Sequence, residues 1–150
     1  MEIYQEAKKY MVKEGNLTQW DDTYPTREIL LADIAQNELF VIKINGSIHG
    51  VFAFIIGEDE TYQEISNGEW LNDLPYGTIH RIASSFVYPG ILTLAIKDSL
   101  KKILNIKIDT HPANKTMQAA IIKQGFSYCG EIKVKDGSKR LAYQYYKEEK

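Results

Sequence analysis

Apolar positions recur along this chain at two spacings, and the switches between them mark its elements. Over residues 2–14, Ile3, Ala7, Tyr10 and Met11 share one helical stripe, which Gly15 ends. A polar loop over 16–23 carries Trp20, expected to close the core or to line a cleft. Pro25 and Thr26 then open a second helix, with Thr26 as its cap and Glu28 in the first turn. Ile29, Leu30, Ala32 and Ile34 form its apolar face, and Asn37 ends it. Residues 39–44 and 48–56 are apolar runs joined by Asn45-Gly46, a strong short hairpin signal. The acidic stretch 57–73 reads as loop or irregular helix, pinned to the body by Trp70 and Leu71.

The centre of the chain is residues 76–104. Thr78, Ile79, Ile82 and Val87 are β-branched and favour a strand. Pro89-Gly90 breaks the pattern, and Ile91, Leu92, Ala95, Ile96, Ser99, Leu100, Ile103 and Leu104 resume it at helical spacing. A strand that turns into a helix leaves unpaired N–H groups where the helix dipole favours an anion. Gly90, Ile91, Leu92 and Thr93 are therefore a candidate phosphate cradle, although many such joints bind nothing. A short strand over 106–109 stops at His111-Pro112, Asn114 caps a helix through Gln124, and Gly125 ends it. Residues 126–135 and 139–146 form a second hairpin across Asp136-Gly137. The order α α β β β α β α β β predicts an α/β fold of the α+β kind. Its sheet is mixed and mostly antiparallel, with helices on both faces and a parallel, right-handed βαβα centre.

Composition narrows the function only by exclusion. A chain of 150 residues, 44% hydrophobic and 25% charged, suits one folded domain over 1–150. A net charge of −2 points to neither nucleic acid nor an acidic membrane as partner. One cysteine, Cys129, fits a reducing cytoplasm, and no run is long and apolar enough to span a membrane. His80, Asp109, His111 and Cys129 contain no close ligand pair, so no metal site is expected.

The runs GTIHRIAS, IKIDTHPANKTMQAAIIKQGFSYCGEI and DGSKRLAYQ carry a further signal. They resemble the GNAT-type N-acetyltransferases, in particular bacterial members reading I-H-R-I-A and D-T-H-x-x-N-x-x-M-Q, over essentially residues 16–146. The resemblance implies a single acyl-CoA N-acyltransferase-like domain in which strand 79–84 splays from the parallel strand 106–109. Acetyl-CoA as co-substrate would lie in that gap, contacting Ile82, Ala83, Ser84, Asn114 and the start of the next helix at Gly90, Ile91, Leu92 and Thr93. Asn114 has the alternative role of a plain helix cap. The family loop [QR]-x-x-G-x-[GA] becomes Val87-Tyr88-Pro89-Gly90-Ile91-Leu92, with one glycine kept, and the family's first edge strand is expected to be missing.

The implied reaction is acetyl transfer to a primary amine of a small molecule or peptide by direct attack. An amine attacks a thioester only as the free base, so the site needs a proton acceptor and an oxyanion donor. Candidate catalytic residues are His80, His111, Tyr128 and Cys129. The histidines are candidate bases, and each has a structural alternative. The family's general-acid tyrosine falls on Ile121, so Tyr128 and Cys129 are substitutes, with an inert buried thiol the alternative for Cys129. Backbone N–H groups of Ala83 or Ser84 are the oxyanion candidates. Glu64, Glu69 and Asp73 are either a lure for a cationic amine or a solvated acidic face. A homodimer is a further expectation. The competing reading is a non-catalytic binding module with a GNAT fold and a degenerate cofactor loop.

Overall fold

The computed structural model describes residues 26–84 and 88–148. The expected helix over 2–14, Trp20, Val87 and the missing edge strand lie outside the described residues. The first described helix, α1 (Arg27–Ala35), starts where Thr26 accepts the Ile29 N–H at 3.2 Å. It ends ahead of Asn37, whose φ of 57° lets the chain reverse. Strands β1 (Leu39–Ile44) and β2 (Ser47–Ile56) form the expected hairpin, with Asn45 and Gly46 both at positive φ as a tight primed turn requires. A 3-10 turn at Glu60–Tyr62 lies in the acidic stretch. Strand β3 (Gly77–Ser84), helix α2 (Ile91–Leu100), strand β4 (Asn105–Thr110) and helix α3 (Lys115–Lys123) follow. Strands β5 (Ser127–Lys133) and β6 (Lys139–Tyr146) close the chain as a hairpin.

The sheet order is β1-β2-β3-β4-β6-β5, with β3 and β4 parallel and every other pair antiparallel. Thus β6, the second strand of the last hairpin, is the one that zips onto β4. Helices α2 and α3 cover one face, where Phe52, Phe54, Ile79, Ile106 and Ile108 pack on Ala95, Ile96 and Ile121. Each large apolar side chain buried there contributes about 1.5–3 kcal/mol. On the other face Leu30 of α1 meets Val51 and Ala83, while Tyr62 and Tyr76 pack on Ile132 and Ala142. Trp70 pins the acidic stretch by donating from Nε1 to the Tyr62 carbonyl at 2.9 Å. Leu71 contributes a backbone N–H to Gln144 Oε1 at 2.8 Å, while its side chain stays exposed. None of the described helices is long and apolar enough to cross a membrane.

Strict alternation along β3 would place His80, Ile82 and Ser84 on one face. The register overturns this, because Val51 pairs with Ala83 but Ala53 pairs with His80. One extra residue is therefore inserted in β3, and Arg81 takes up the bulge at φ 51°. Its guanidinium is held by Asp33 of α1, Nε to Oδ2 at 3.0 Å and NH2 to Oδ1 at 2.7 Å. Beyond the bulge Ile82 joins Ile79 on the α2 face, and Ala83 faces α1.

Candidate active site

The two central strands part early. β3 and β4 pair only at Gly77↔Ile106 and Thr78↔Lys107, although β3 stays on β2 to Ser84 and β4 stays on β6 to Thr110. The facing edges of 79–84 and 108–110 thus leave a gap within the sheet. A cleft of about 780 Å³ opens there, lined by residues of both faces, including Ile79, His80, Ile82 and Asn114. Thr78 and Thr110 also line it. Their hydroxyls are buried, at 1% and 0% residue exposure, and have no hydrogen-bond partner among the described residues. Buried polar groups are nearly always paired, so this is an unusual cost to carry.

His80, Asp59, Asp109 and Tyr62 form two hydrogen-bonded pairs beside this gap. His80 Nε2 lies 3.0 Å from Asp59 Oδ2. Asp59 Oδ1 accepts both the backbone N–H and the hydroxyl of Thr61, at 2.9 and 2.6 Å. Burial pushes the Asp59 carboxyl up, but the bonds from His80 and Thr61 outweigh it and bring it to about 2. From β4, Asp109 accepts the Tyr62 hydroxyl at 2.5 Å. Burial pushes the Asp109 carboxyl up, against the opposing charges of His80 and Arg140 and the bond from Tyr62. Burial also drives the Tyr62 hydroxyl far up, with Asp109 beside it adding to the effect. The Tyr62 and His80 rings are 6.3 Å apart.

Of the residues singled out from sequence, His80, Ile82 and Asn114 line the cleft, with Ala83 and Ser84 next along β3. Asn114 also caps α3, accepting the Met117 N–H at 3.1 Å. Gly90, Ile91, Leu92 and Thr93 begin α2 as expected but lie outside the cleft lining. Gly90 is at φ 82° with no side-chain cap, a conformation that suits glycine. Thr93 Oγ1 is committed to Gln124 Nε2 at 2.8 Å, and Leu92 packs against the core.

The other candidates are elsewhere. His111 Nδ1 accepts the Ala113 N–H at 3.0 Å in the turn before α3. Burial and the charge of Arg140 hold its imidazole below the usual range. Tyr128 is half exposed on β5, edge-on to Tyr143. Cys129 is buried, its thiol donates to the Ser127 carbonyl at 3.5 Å, and burial pushes that thiol up. Ile121, at the position of the expected acid, is fully buried in the core. Glu64, Glu69 and Asp73 line no part of the cleft; Glu58, Asp59 and Glu60 do. Sequence reasoning missed Asp59, Tyr62, Thr78 and Thr110. Only the Asp59-Glu60-Thr61 turn pattern could have flagged one of them.

No protein-family model and no curated protein matches the chain. Among solved structures, a GNAT-family acetyltransferase from Streptococcus agalactiae is 36% identical, with a TM-score of 0.86 over 99% of this chain and 88% of that one. The chain belongs to the GNAT family of acetyltransferases. A GNAT-family acetyltransferase from Listeria monocytogenes shares the fold at 16% identity, with a TM-score of 0.68 over 97% of this chain and 86% of that one. The NatC complex bound to Gag peptide and CoA has the same fold at 13% identity, with a TM-score of 0.59 over 98% and 92%. The parting of β3 from β4 is observed in this chain directly, at the end of a two-position ladder. The His80–Asp59 pair beside it belongs to this chain's own residues. Among the described residues no three His, Cys, Asp or Glu side chains gather as a metal site requires.

Proposed function

We propose that this GNAT protein, one of the bacterial I-H-R-I-A subgroup, transfers the acetyl group of acetyl-CoA to a primary amine of a small molecule or peptide by direct attack. The observation that carries the reading is the opening of the β3–β4 ladder beyond Thr78, with His80 at its edge. The residues present suit the co-substrate. Strand edges that do not ladder with each other can bond to its amides, and two buried hydroxyls, Thr78 and Thr110, lack partners among the described residues. The start of α2 at Gly90 has N–H groups that no side chain caps. That a complex of the same fold, NatC, is bound to CoA supports the choice of co-substrate.

Acetyl-CoA supplies an activated thioester. His80 takes the ammonium proton and so produces the nucleophile. Along β3, which pairs with β2 on its other side, successive N–H groups alternate in direction. One of Ala83 and Ser84 therefore points its N–H into the gap, where it can hold developing negative charge. The C–N bond forms as the C–S bond breaks, and the thiolate leaves with a proton from the site.

The non-catalytic reading draws on the start of α2, where Thr93 is committed to Gln124 and Leu92 to the core. Incubation with acetyl-CoA and a panel of amines and peptides, with free thiol as the readout, separates the two. Amine-dependent thiol release supports the enzyme; no release with any acceptor, together with no saturable acetyl-CoA binding, supports the binding module with a degenerate cofactor loop.

A further inference from the structure

We propose that Asp59 is a positioning residue for His80: it fixes the imidazole as the Nε2–H tautomer, so that Nδ1 is the nitrogen that takes the amine proton. The inference rests on the reading of His80 as the base and adds to it both an atom and a partner.

The geometry leaves few alternatives. Asp59 Oδ2 is 3.0 Å from His80 Nε2, and the neighbouring groups keep that carboxyl ionised through the neutral range. An ionised carboxylate only accepts, so Nε2 must carry the proton. In the neutral ring the lone pair is then on Nδ1. His80 Nδ1 has no hydrogen-bond partner among the described residues, and the residue lines the cleft.

Asp59 is itself fixed from two further directions. Thr61 ties Oδ1 with two bonds, and the Asp59 backbone N–H donates to Tyr76 Oη at 2.7 Å. Tyr76 immediately precedes β3 and is buried. The loop that carries the carboxylate is thereby attached to the strand that carries the histidine, and the pair need not order itself during each turnover.

Other charged groups around the ring do not substitute for Asp59. Asp109 faces it from β4 and accepts from Tyr62, while Arg140 of β6 acts on Asp109. Arg81 is turned to Asp33 of α1, and Glu58 and Glu60 are exposed at the rim. As the proton arrives, the imidazolium is paired at once with Asp59. The ammonium N–H bond breaks, Nδ1–H forms and that proton passes to solvent; the amine lone pair closes the C–N bond as C–S breaks, and the nitrogen then gives up a second proton, to Nδ1, which passes it to the departing thiolate.

Nitrogen-15 NMR of the wild-type histidines at neutral pH tests the tautomer directly, with His80 assigned through His80→Gln. Protonation at Nε2 is expected; protonation at Nδ1 overturns the proposal whether or not the protein is active. Asp59→Asn supplies the kinetic arm. It should lower kcat by roughly tenfold to a thousandfold, less than His80→Gln, and leave the acetyl-CoA KM unchanged. Loss of the carboxylate removes the negative partner of the imidazolium, so the rising limb of the pH profile should move to lower pH. Asp59→Glu should restore part of kcat. An active wild type that needs His80 but whose pH profile and kcat ignore Asp59→Asn would refute the positioning role alone. A wild type with no transferase activity would instead refute the functional reading. If Asp59→Asn does not fold, Thr61→Val keeps the carboxylate, loosens one of its ties and should shift the profile in the same direction by less, with an unmoved profile counting against the proposal.

Discussion

Strand β3 has two flanks, and they differ in almost every respect. Toward β2 it is paired from Gly77 to Ser84, its bulge is anchored by the Arg81–Asp33 pair, and α1 closes over Val51 and Ala83. Toward β4 it is paired at two positions and then releases, leaving buried hydroxyls without partners and a run of ionisable groups. Apart from the bulge, ladder pairing runs the length of the first flank, and it is withheld beyond Thr78 on the second. A protein tolerates withheld pairing where a ligand is to complete it, because the cost is recovered on binding. The comparison assigns stability to one flank and chemistry to the other, and substitutions on each should separate accordingly.

The largest effect is expected on the open flank. His80→Gln keeps size and hydrogen bonding but not basicity near neutral pH. It should lower kcat by about 10²–10⁴-fold with unchanged acetyl-CoA affinity and melting temperature, and the deficit should shrink as pH rises. Steady-state kinetics across pH checks this; a joint fall in affinity and stability would make His80 a structural residue. On the closed flank, Asp33→Ala removes the carboxylate that both Nε and NH2 of Arg81 donate to, from a guanidinium whose side chain is 13% exposed. It should cost about 3 kcal/mol in urea unfolding, and activity should fall only in proportion to the unfolded fraction.

The linkage of Asp59 to pH gives a somewhat smaller effect. Its carboxyl lies at about 2 in the folded chain against a reference of 3.8, so its contribution is complete above the reference value. That contribution, roughly 2 kcal/mol, is lost as pH falls from 3.8 toward 2. Urea unfolding over that range should show Asp59→Asn less acid-sensitive than wild type. The smallest effect is at Thr110. Thr110→Val removes a buried hydroxyl that lacks a partner while keeping the shape, so the free protein should gain up to about 1 kcal/mol. The same change should weaken acetyl-CoA binding if that hydroxyl is kept for the ligand. A loss of stability would show instead that the hydroxyl is satisfied in solution.

Local signals made most of the fold legible from sequence. Asn45-Gly46 announced its hairpin because two consecutive positive-φ positions are demanded there, and Thr26 and Asn114 announced helix starts because their side chains cap them. The alternation of strand and helix between residues 77 and 123 gave the parallel centre and, with the quoted runs, the family. The bulge left no such trace, since the left-handed position is filled by Arg81 and not by glycine. Its anchor, Asp33, lies 48 residues away. The same holds for Asp59, which sits in a stretch that reads as solvated acid and meets His80 only through the tertiary fold. Cys129 is a candidate with an inert buried thiol as its alternative, and its burial depends on the tertiary fold, whereas His111 is tied within its own turn to the Ala113 N–H two residues on.

The central claim is that the open flank of β3 takes acetyl-CoA. Calorimetric titration of acetyl-CoA into the wild-type chain tests it most directly. The account predicts saturable binding of one molecule per chain. Absence of saturable heat at concentrations where other family members are filled would contradict it, and would leave the gap between β3 and β4 as a feature of the fold without its ligand.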